Sequence, residues 1–70
     1  IPFQTEFILQ SDERAIGLHY SVINLLGVEV IYGIINSNQT RIDAMKWTPG
    51  IYFLVIKTNK EILTRKLIKN

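Results

Sequence analysis

The sequence predicts an all-β fold, a sandwich or barrel of short strands. Apolar residues occupy every second position from Ile16 to Val22, which is typical of a strand with one buried face. The run 51–56 is apolar at every position and rich in β-branched and aromatic types. This is expected of a central strand covered on both sides, or of a strand with one core face and one face that contacts a partner. Turn residues recur about every ten positions, a spacing that favours short strands.

Each predicted strand is bounded by residues that favour turns. The strands are expected at 5–10, 16–23, 28–35, 39–44, 51–56 and 61–68. Gly27 supplies the positive φ of a tight corner. Pro49 fixes φ in the next turn, and Gly50 takes its strained position. The connection 58–60 is short enough for a hairpin in which Asn59 adopts the left-handed region. Two further turns are polar clusters, at 11–14 and 36–38.

The sequence of two segments is also compatible with an α-helix. Leucines and valine at helical spacing form one stripe through Leu18, Val22, Leu25 and Leu26, and another through Leu63 and Leu67. Glycines within the first stripe argue against a helix there. Periodicity alone leaves the second stripe open.

Length and composition restrict the class of protein to which the chain can belong. A chain of 70 residues is one small domain, which buries only about 60% of the surface that its unfolded form exposes. With no cysteine to form disulfides, its stability rests on packing. The 47% of hydrophobic residues exclude a disordered chain. No apolar run approaches the roughly 20 residues of a transmembrane helix, so we predict no membrane insertion.

The charge is unevenly distributed along the chain. The net charge is +2, yet residues 1–45 carry −3 and residues 46–70 carry +5. In the basic part, lysine and arginine are interleaved with apolar residues. We therefore expect a folded strand with a charged edge or face rather than a flexible tail.

Residue types that form catalytic and metal sites are scarce. One histidine and no cysteine argue against a zinc site, and the glycines stand singly rather than in a phosphate-binding loop. His19 and Ser21 share a predicted strand face that Asp43 could approach. An exposed polar face explains these residues better than a catalytic triad does. We predict that the protein is not an enzyme and uses no metal or cofactor.

The basic end leaves a nucleic-acid-binding small barrel open as a function, because aromatic side chains can stack on bases. The aromatic residues concerned are Tyr20, Tyr32, Trp47, Tyr52 and Phe53. A core of this size needs most of them inside, so we predict no nucleic-acid partner.

Three segments occur in a specific order. Residues 24–30 read Asn-Leu-Leu-Gly-Val-Glu-Val, residues 47–55 read Trp-Thr-Pro-Gly-Ile-Tyr-Phe-Leu-Val, and residues 65–70 read Arg-Lys-Leu-Ile-Lys-Asn. They closely resemble the type A C-terminal sorting domain of the type IX secretion system, the Por secretion system C-terminal domain family of Bacteroidetes-type bacteria. That family typically has a D-h-h-G-R-x-V corner, an L-x-x-G-x-Y-h-h segment and a closing K-h-h-K strand, where h is apolar.

The chain departs from the family pattern at five positions, among them Ile1, where the family often has Asn, and Val55, where it often has a polar or basic residue. Asn24 stands where the family commonly has Asp, and Val28 stands where it commonly has Arg, so an ion pair between those two positions is missing. Trp47 takes the position of the usual Leu and offers a larger apolar area to a core.

The resemblance implies a fold and a function. The fold is a small Ig-like β-sandwich of about six to seven short antiparallel strands. Residues 1–70 would be a single sorting domain at the end of a larger exported protein. Its partners would be the type IX machinery: an outer-membrane translocon, a shuttle protein and a sortase-like peptidase. The protein would cross the periplasm and end at the cell surface or in the medium.

The resemblance also suggests which residues form the recognised signal. They are Gly27, Pro49, Gly50, Tyr52, Lys66, Leu67, Lys69 and Asn70. We expect Tyr52 to be a core residue with its hydroxyl at the rim. Lys66 and Lys69 are three apart and cannot share a strand face. We expect both lysines to be exposed charges. The machinery reads them, or they solubilise an edge strand, and the two roles do not exclude each other.

One other function stays open at this point. A fibronectin-like or carbohydrate-binding β-sandwich, acting as the non-catalytic accessory module of a secreted enzyme, would have the same composition and strand pattern. Such a module should tolerate extra residues after Asn70, whereas a signal read at that terminus should not.

Overall fold

Seven strands and one short 3₁₀ turn make up the part of the protein that the structure describes. The computed structural model describes residues 2–3 and 5–70, with side chains from residue 5 onward. The strands are β1 (Pro2–Phe3), β2 (Glu6–Gln10), β3 (His19–Asn24), β4 (Glu29–Ile34), β5 (Gln39–Asp43), β6 (Gly50–Lys57) and β7 (Ile62–Lys69). The 3₁₀ turn spans Glu13–Ala15. No α-helix occurs within the described residues, so the all-β prediction is confirmed and both helical alternatives are excluded.

The strands form two sheets. The large sheet has the order β1-β7-β6-β3-β4, and the small sheet pairs β2 with β5. All neighbours are antiparallel except β1 and β7, which run parallel with Pro2 opposite Ile68 and Phe3 opposite Lys69. The predicted sandwich is therefore confirmed, with one parallel pair that was not expected. Of the first two described strands, β1 belongs to the large sheet and β2 to the small sheet.

The core lies between the sheets and follows the predicted alternation. Buried side chains come from both layers: Phe7, Tyr20, Val22, Ile35, Ile42, Ala44, Tyr52, Leu54 and Leu67. In β6, Tyr52 and Leu54 are buried, whereas the alternate residues Phe53 and Val55 are half-buried on the outer face. This confirms the assignment of the Tyr52 face to the core.

The predicted start of β3 is wrong. The strand starts at His19 instead of residue 16, and Ile16 is 47% exposed. A capped 3₁₀ turn ends there: the Asp12 carboxylate accepts a hydrogen bond of 2.9 Å from the Arg14 backbone N–H. Hydrogen bonds and the charge of Arg14 also hold the pKa of Asp12 below its usual value. Gly17 then adopts a φ of 93°, which breaks the extended backbone.

The β6–β7 hairpin has its predicted position but not its predicted geometry. No described non-glycine residue has a positive φ, so Asn59 is not left-handed. Thr58 closes the turn instead. Its N–H donates to the Glu61 carbonyl oxygen over 2.9 Å, and its hydroxyl oxygen accepts from the Glu61 N–H over 3.0 Å. Hydroxyl-to-backbone bonds of this kind stabilise turns without a left-handed residue.

Candidate recognition surface

The three segments that carry the family resemblance meet at one end of the sandwich. Strand register brings them together: Asn24 lies opposite Tyr52, Tyr52 lies opposite Leu67, and Gly50 lies opposite Lys69. We call this end, formed by residues 24–28, 47–52 and 66–70, the motif end. The segments are far apart in sequence and adjacent here because β6 lies between β3 and β7 in the large sheet.

The turn between β3 and β4 is held by the side chain of Asn24. Its Oδ1 accepts hydrogen bonds from the N–H of Leu26 (2.9 Å) and of Val28 (3.0 Å). The backbone of Asn24 adds two more bonds, donating to Val28 and accepting from Gly27, each of 3.0 Å. Gly27 has a φ of 81°, as predicted for this corner. The turn is thus fixed by hydrogen bonds and not by an ion pair with position 28.

Sequence reasoning missed the exposure of this turn. Leu25 is 67% exposed, Leu26 is 88% exposed and Val28 is 55% exposed. A local feature of the sequence predicts this exposure. A tight turn closed by an asparagine and a glycine projects its intervening side chains away from the sheet.

Tyr52 anchors the second segment. Its ring is 5% exposed, and its hydroxyl donates a hydrogen bond of 2.5 Å to the Thr48 carbonyl oxygen. The Trp47 ring lies 4.9 Å from the Tyr52 ring, centroid to centroid. Pro49 and Gly50 are exposed in the turn that these contacts hold, and Gly50 has a φ of 152°. The prediction of a core tyrosine with its hydroxyl at the rim is confirmed.

The third segment divides between core and surface. Leu67 is completely buried and Lys69 is 8% exposed, whereas Lys66 and Asn70 are exposed. The two lysines lie on opposite faces of β7, as predicted. The expectation that both are exposed charges is wrong for Lys69. Its side chain shares the inner face with Leu67, and its cross-strand partner Gly50 has no side chain to occupy that space.

The edge of β7 is largely open. In the described part of the chain, β1 pairs with this edge only at Ile68 and Lys69. Two grooves of about 410 and 550 Å³ run between β2 and β7 along the same side. They share four lining residues: Leu9, Gln10, Leu54 and Arg65. Of the predicted site residues, these grooves include only Lys66 and Leu67, so most of the predicted signal lies elsewhere.

The residues considered for a catalytic triad do not come together. His19 and Ser21 lie on the outer face of β3, where His19 Nδ1 is hydrogen-bonded to the Tyr32 hydroxyl. Asp43 ends β5 in the other sheet, and its carboxylate accepts a hydrogen bond of 2.9 Å from the Met45 N–H. Over residues 2–3 and 5–70, no cluster of metal-ligating side chains forms. No helix in the same residues has the length and apolarity to cross a membrane.

Comparison with known proteins supports one of the functions left open by the sequence. No curated protein and no solved structure matches the chain. The family of secretion system C-terminal sorting domains matches it over residues 1–70, which is its whole length. This match agrees with the convergence of the three segments at one end. No comparable match supports an accessory module. The chain belongs to the secretion system C-terminal sorting domain family and is a sorting signal of type IX secretion.

Proposed function

We propose that the motif end is the surface by which the type IX machinery recognises this signal. The observation that carries the proposal is the convergence there of three segments that are separated in sequence. A partner that contacted the opposite end of the sandwich would touch none of them. The domain acts by being bound rather than by catalysis, and it needs no cofactor.

The predicted signal residues divide into two roles under this proposal. Most maintain the shape of the surface: Gly27, Pro49 and Gly50 in the turns, and Tyr52, Leu67 and Lys69 in the buried layer beneath them. Lys66 and Asn70 are exposed and able to contact a partner. Replacing a residue of the first group impairs recognition through the fold, whereas replacing one of the second group impairs it directly.

The route of the protein follows from that role. Residues 1–70 form one sorting domain of a larger exported protein, which crosses the periplasm to the outer membrane. There a shuttle protein and the translocon bind the domain, and a sortase-like peptidase removes it. The cargo then stays at the cell surface or enters the medium.

Export of a reporter tests this function. Residues 1–70, fused to the C-terminus of a periplasmic reporter in a bacterium with a type IX system, should bring the reporter to the surface or medium. Retention of the intact fusion in the periplasm would show that the domain is not sufficient as a signal. An accessory binding module would then be the better interpretation.

A charge change tests the role of the exposed lysine. Lys66→Gln keeps most of the side-chain length and removes one exposed charge, so folding should be preserved. We expect the folded variant to accumulate in the periplasm. Lys60→Gln is the matched control, because Lys60 is also exposed but lies in the hairpin at the opposite end. If both variants are exported like the parent, the charge of Lys66 only solubilises β7.

A further inference from the structure

The turn at residues 25–28 presents apolar side chains that the fold does not use. Leu26 is the most exposed large hydrophobic residue in the described part of the chain, at 88%, and Leu25 is 67% exposed. The geometry of the turn depends on the Asn24 side chain and on Gly27, and neither interaction needs a leucine. Turns of this kind usually carry small or polar residues. Adjacent exposed leucines therefore suggest an interaction outside the domain.

The turn is also rigid before any partner binds. Four hydrogen bonds of 2.9 to 3.0 Å, two to the side chain and two to the backbone of Asn24, fix it on the end of the β3–β4 hairpin. A backbone that is already fixed loses little further conformational freedom when the turn docks. Projecting apolar residues on a fixed backbone are suited to filling a preformed pocket.

The charge of the β3–β4 hairpin itself favours a protein pocket over a lipid surface. From residue 15 to residue 40, which includes both strands of the hairpin, the only acidic or basic residue besides His19 is Glu29. Segments that bind anionic membranes combine apolar residues with lysine or arginine, and interfacial anchors often carry Trp or Phe. The turn has neither, and Glu29 would be repelled by anionic headgroups.

We propose that Leu25 and Leu26 are an apolar anchor that inserts into an apolar pocket of the protein that recognises the motif end. This inference rests on the proposed function and adds the contact that supplies binding energy. Lys66 in β7 and Asn70 directly after it lie across β6 from the turn, and they would supply polar contacts elsewhere on the same surface. Such a division between a central apolar anchor and a polar rim is usual in protein interfaces.

The reporter fusion tests the anchor with a matched control. Leu25→Ser with Leu26→Ser should lower the amount of reporter outside the cell by about tenfold or more, as truncation of an anchoring residue does. Ile62→Ser is the control, because Ile62 is 63% exposed at the opposite end. It should change export by no more than about twofold. Leu25→Met with Leu26→Met keeps the apolar character and should restore export.

The outcomes separate this inference from the proposed function. The circular dichroism spectrum and thermal unfolding of the serine variant must match those of the parent, since both replaced residues are exposed. If the folded serine variant is exported like the parent, the anchor is wrong while the sorting function stands. If the intact fusion is retained, the proposed function itself fails.

A second measurement identifies the partner. A photo-crosslinking residue at position 26 should give an adduct with a protein of the outer membrane fraction, whereas the same residue at position 62 should not. The purified chain should also fail to sediment with vesicles of phosphatidylcholine and phosphatidylglycerol. Sedimentation that depends on Leu25 and Leu26, without a protein adduct, would overturn the protein pocket in favour of a lipid surface.

Discussion

The hydroxyl of Tyr52 reaches from the buried layer to the backbone carbonyl oxygen of Thr48, over 2.5 Å. One side chain thus belongs to the core through its ring and to the motif end through its oxygen. The turn at Pro49 and Gly50 follows directly after the acceptor. The position of this turn on the surface therefore depends on the packing of the core beneath it.

Tyr52→Phe should retain the fold and destabilise it by about 1 kcal/mol, because one hydrogen bond is lost while the ring remains. Thr48→Val removes only the side-chain hydroxyl, whose distance to the Tyr52 oxygen is 3.2 Å. It should have a smaller effect. Chemical denaturation of both variants measures the difference. Equal destabilisation would mean that the side chain of Thr48, rather than its carbonyl group, is the important partner.

Leu54→Ala should destabilise the domain by about 2–5 kcal/mol, because it leaves a cavity between the sheets. Leu54 is 3% exposed, whereas its neighbour Phe53 is half-buried on the outer face of β6. Phe53→Ala should therefore be milder, although it removes more atoms. Thermal unfolding followed by Trp47 fluorescence compares the two. A larger loss for Phe53→Ala would show that a partner or a second copy covers the outer face.

Gly33→Ala should destabilise the domain by about 1–3 kcal/mol, the range for overpacking a core. Gly33 lies opposite Tyr20 in the β3–β4 pair, and a Cβ atom there would be 2.5 Å from the Tyr20 hydroxyl oxygen and 2.6 Å from Cζ. In a Tyr20→Leu background the same substitution should cost less, because the ring is gone. An unchanged cost in that background would exclude the ring as the cause.

The two C-terminal lysines should differ in stability as well as in role. Lys66→Gln should change the free energy of unfolding by less than about 0.5 kcal/mol, since Lys66 is exposed. Lys69→Gln should reduce it by about 1 kcal/mol, because the aliphatic part of a buried side chain is replaced by a shorter polar one. Chemical denaturation curves of the two variants measure the difference in the free energy of unfolding. Equal effects would mean that burial of Lys69 contributes nothing to stability.

The elements of the fold were predictable where a local pattern determined them. Alternation identified β3, and the apolar run identified β6, because each pattern matches the faces of a pleated strand. The start of β3 was not predictable in the same way. Ile16 and Leu18 continue the alternation, yet the Asp12 cap and the positive φ of Gly17 end the preceding turn inside that pattern.

The composition of the candidate site was predictable, but its geometry was not. The resemblance identified residues in three segments, and nothing local to those segments states that they are neighbours. Their convergence depends on strand order, which is a property of long-range pairing. The burial of Lys69 and the exposure of Leu26 also follow from that pairing and from the turn closed by Asn24, so residue type alone suggested the opposite for both.

The parallel pairing of β1 with β7 has a consequence for folding kinetics. It pairs Pro2 with Ile68, so the large sheet is complete only when two segments far apart in the sequence have come together. Contacts this distant in sequence close slowly, and sandwiches rich in them fold over roughly milliseconds to seconds. A chain truncated before β7 lacks the buried side chain of Leu67. It also lacks the strand with which both β1 and β6 pair. Under the proposed function, the machinery can therefore bind the motif end only after β7 has been synthesised and has paired with β6.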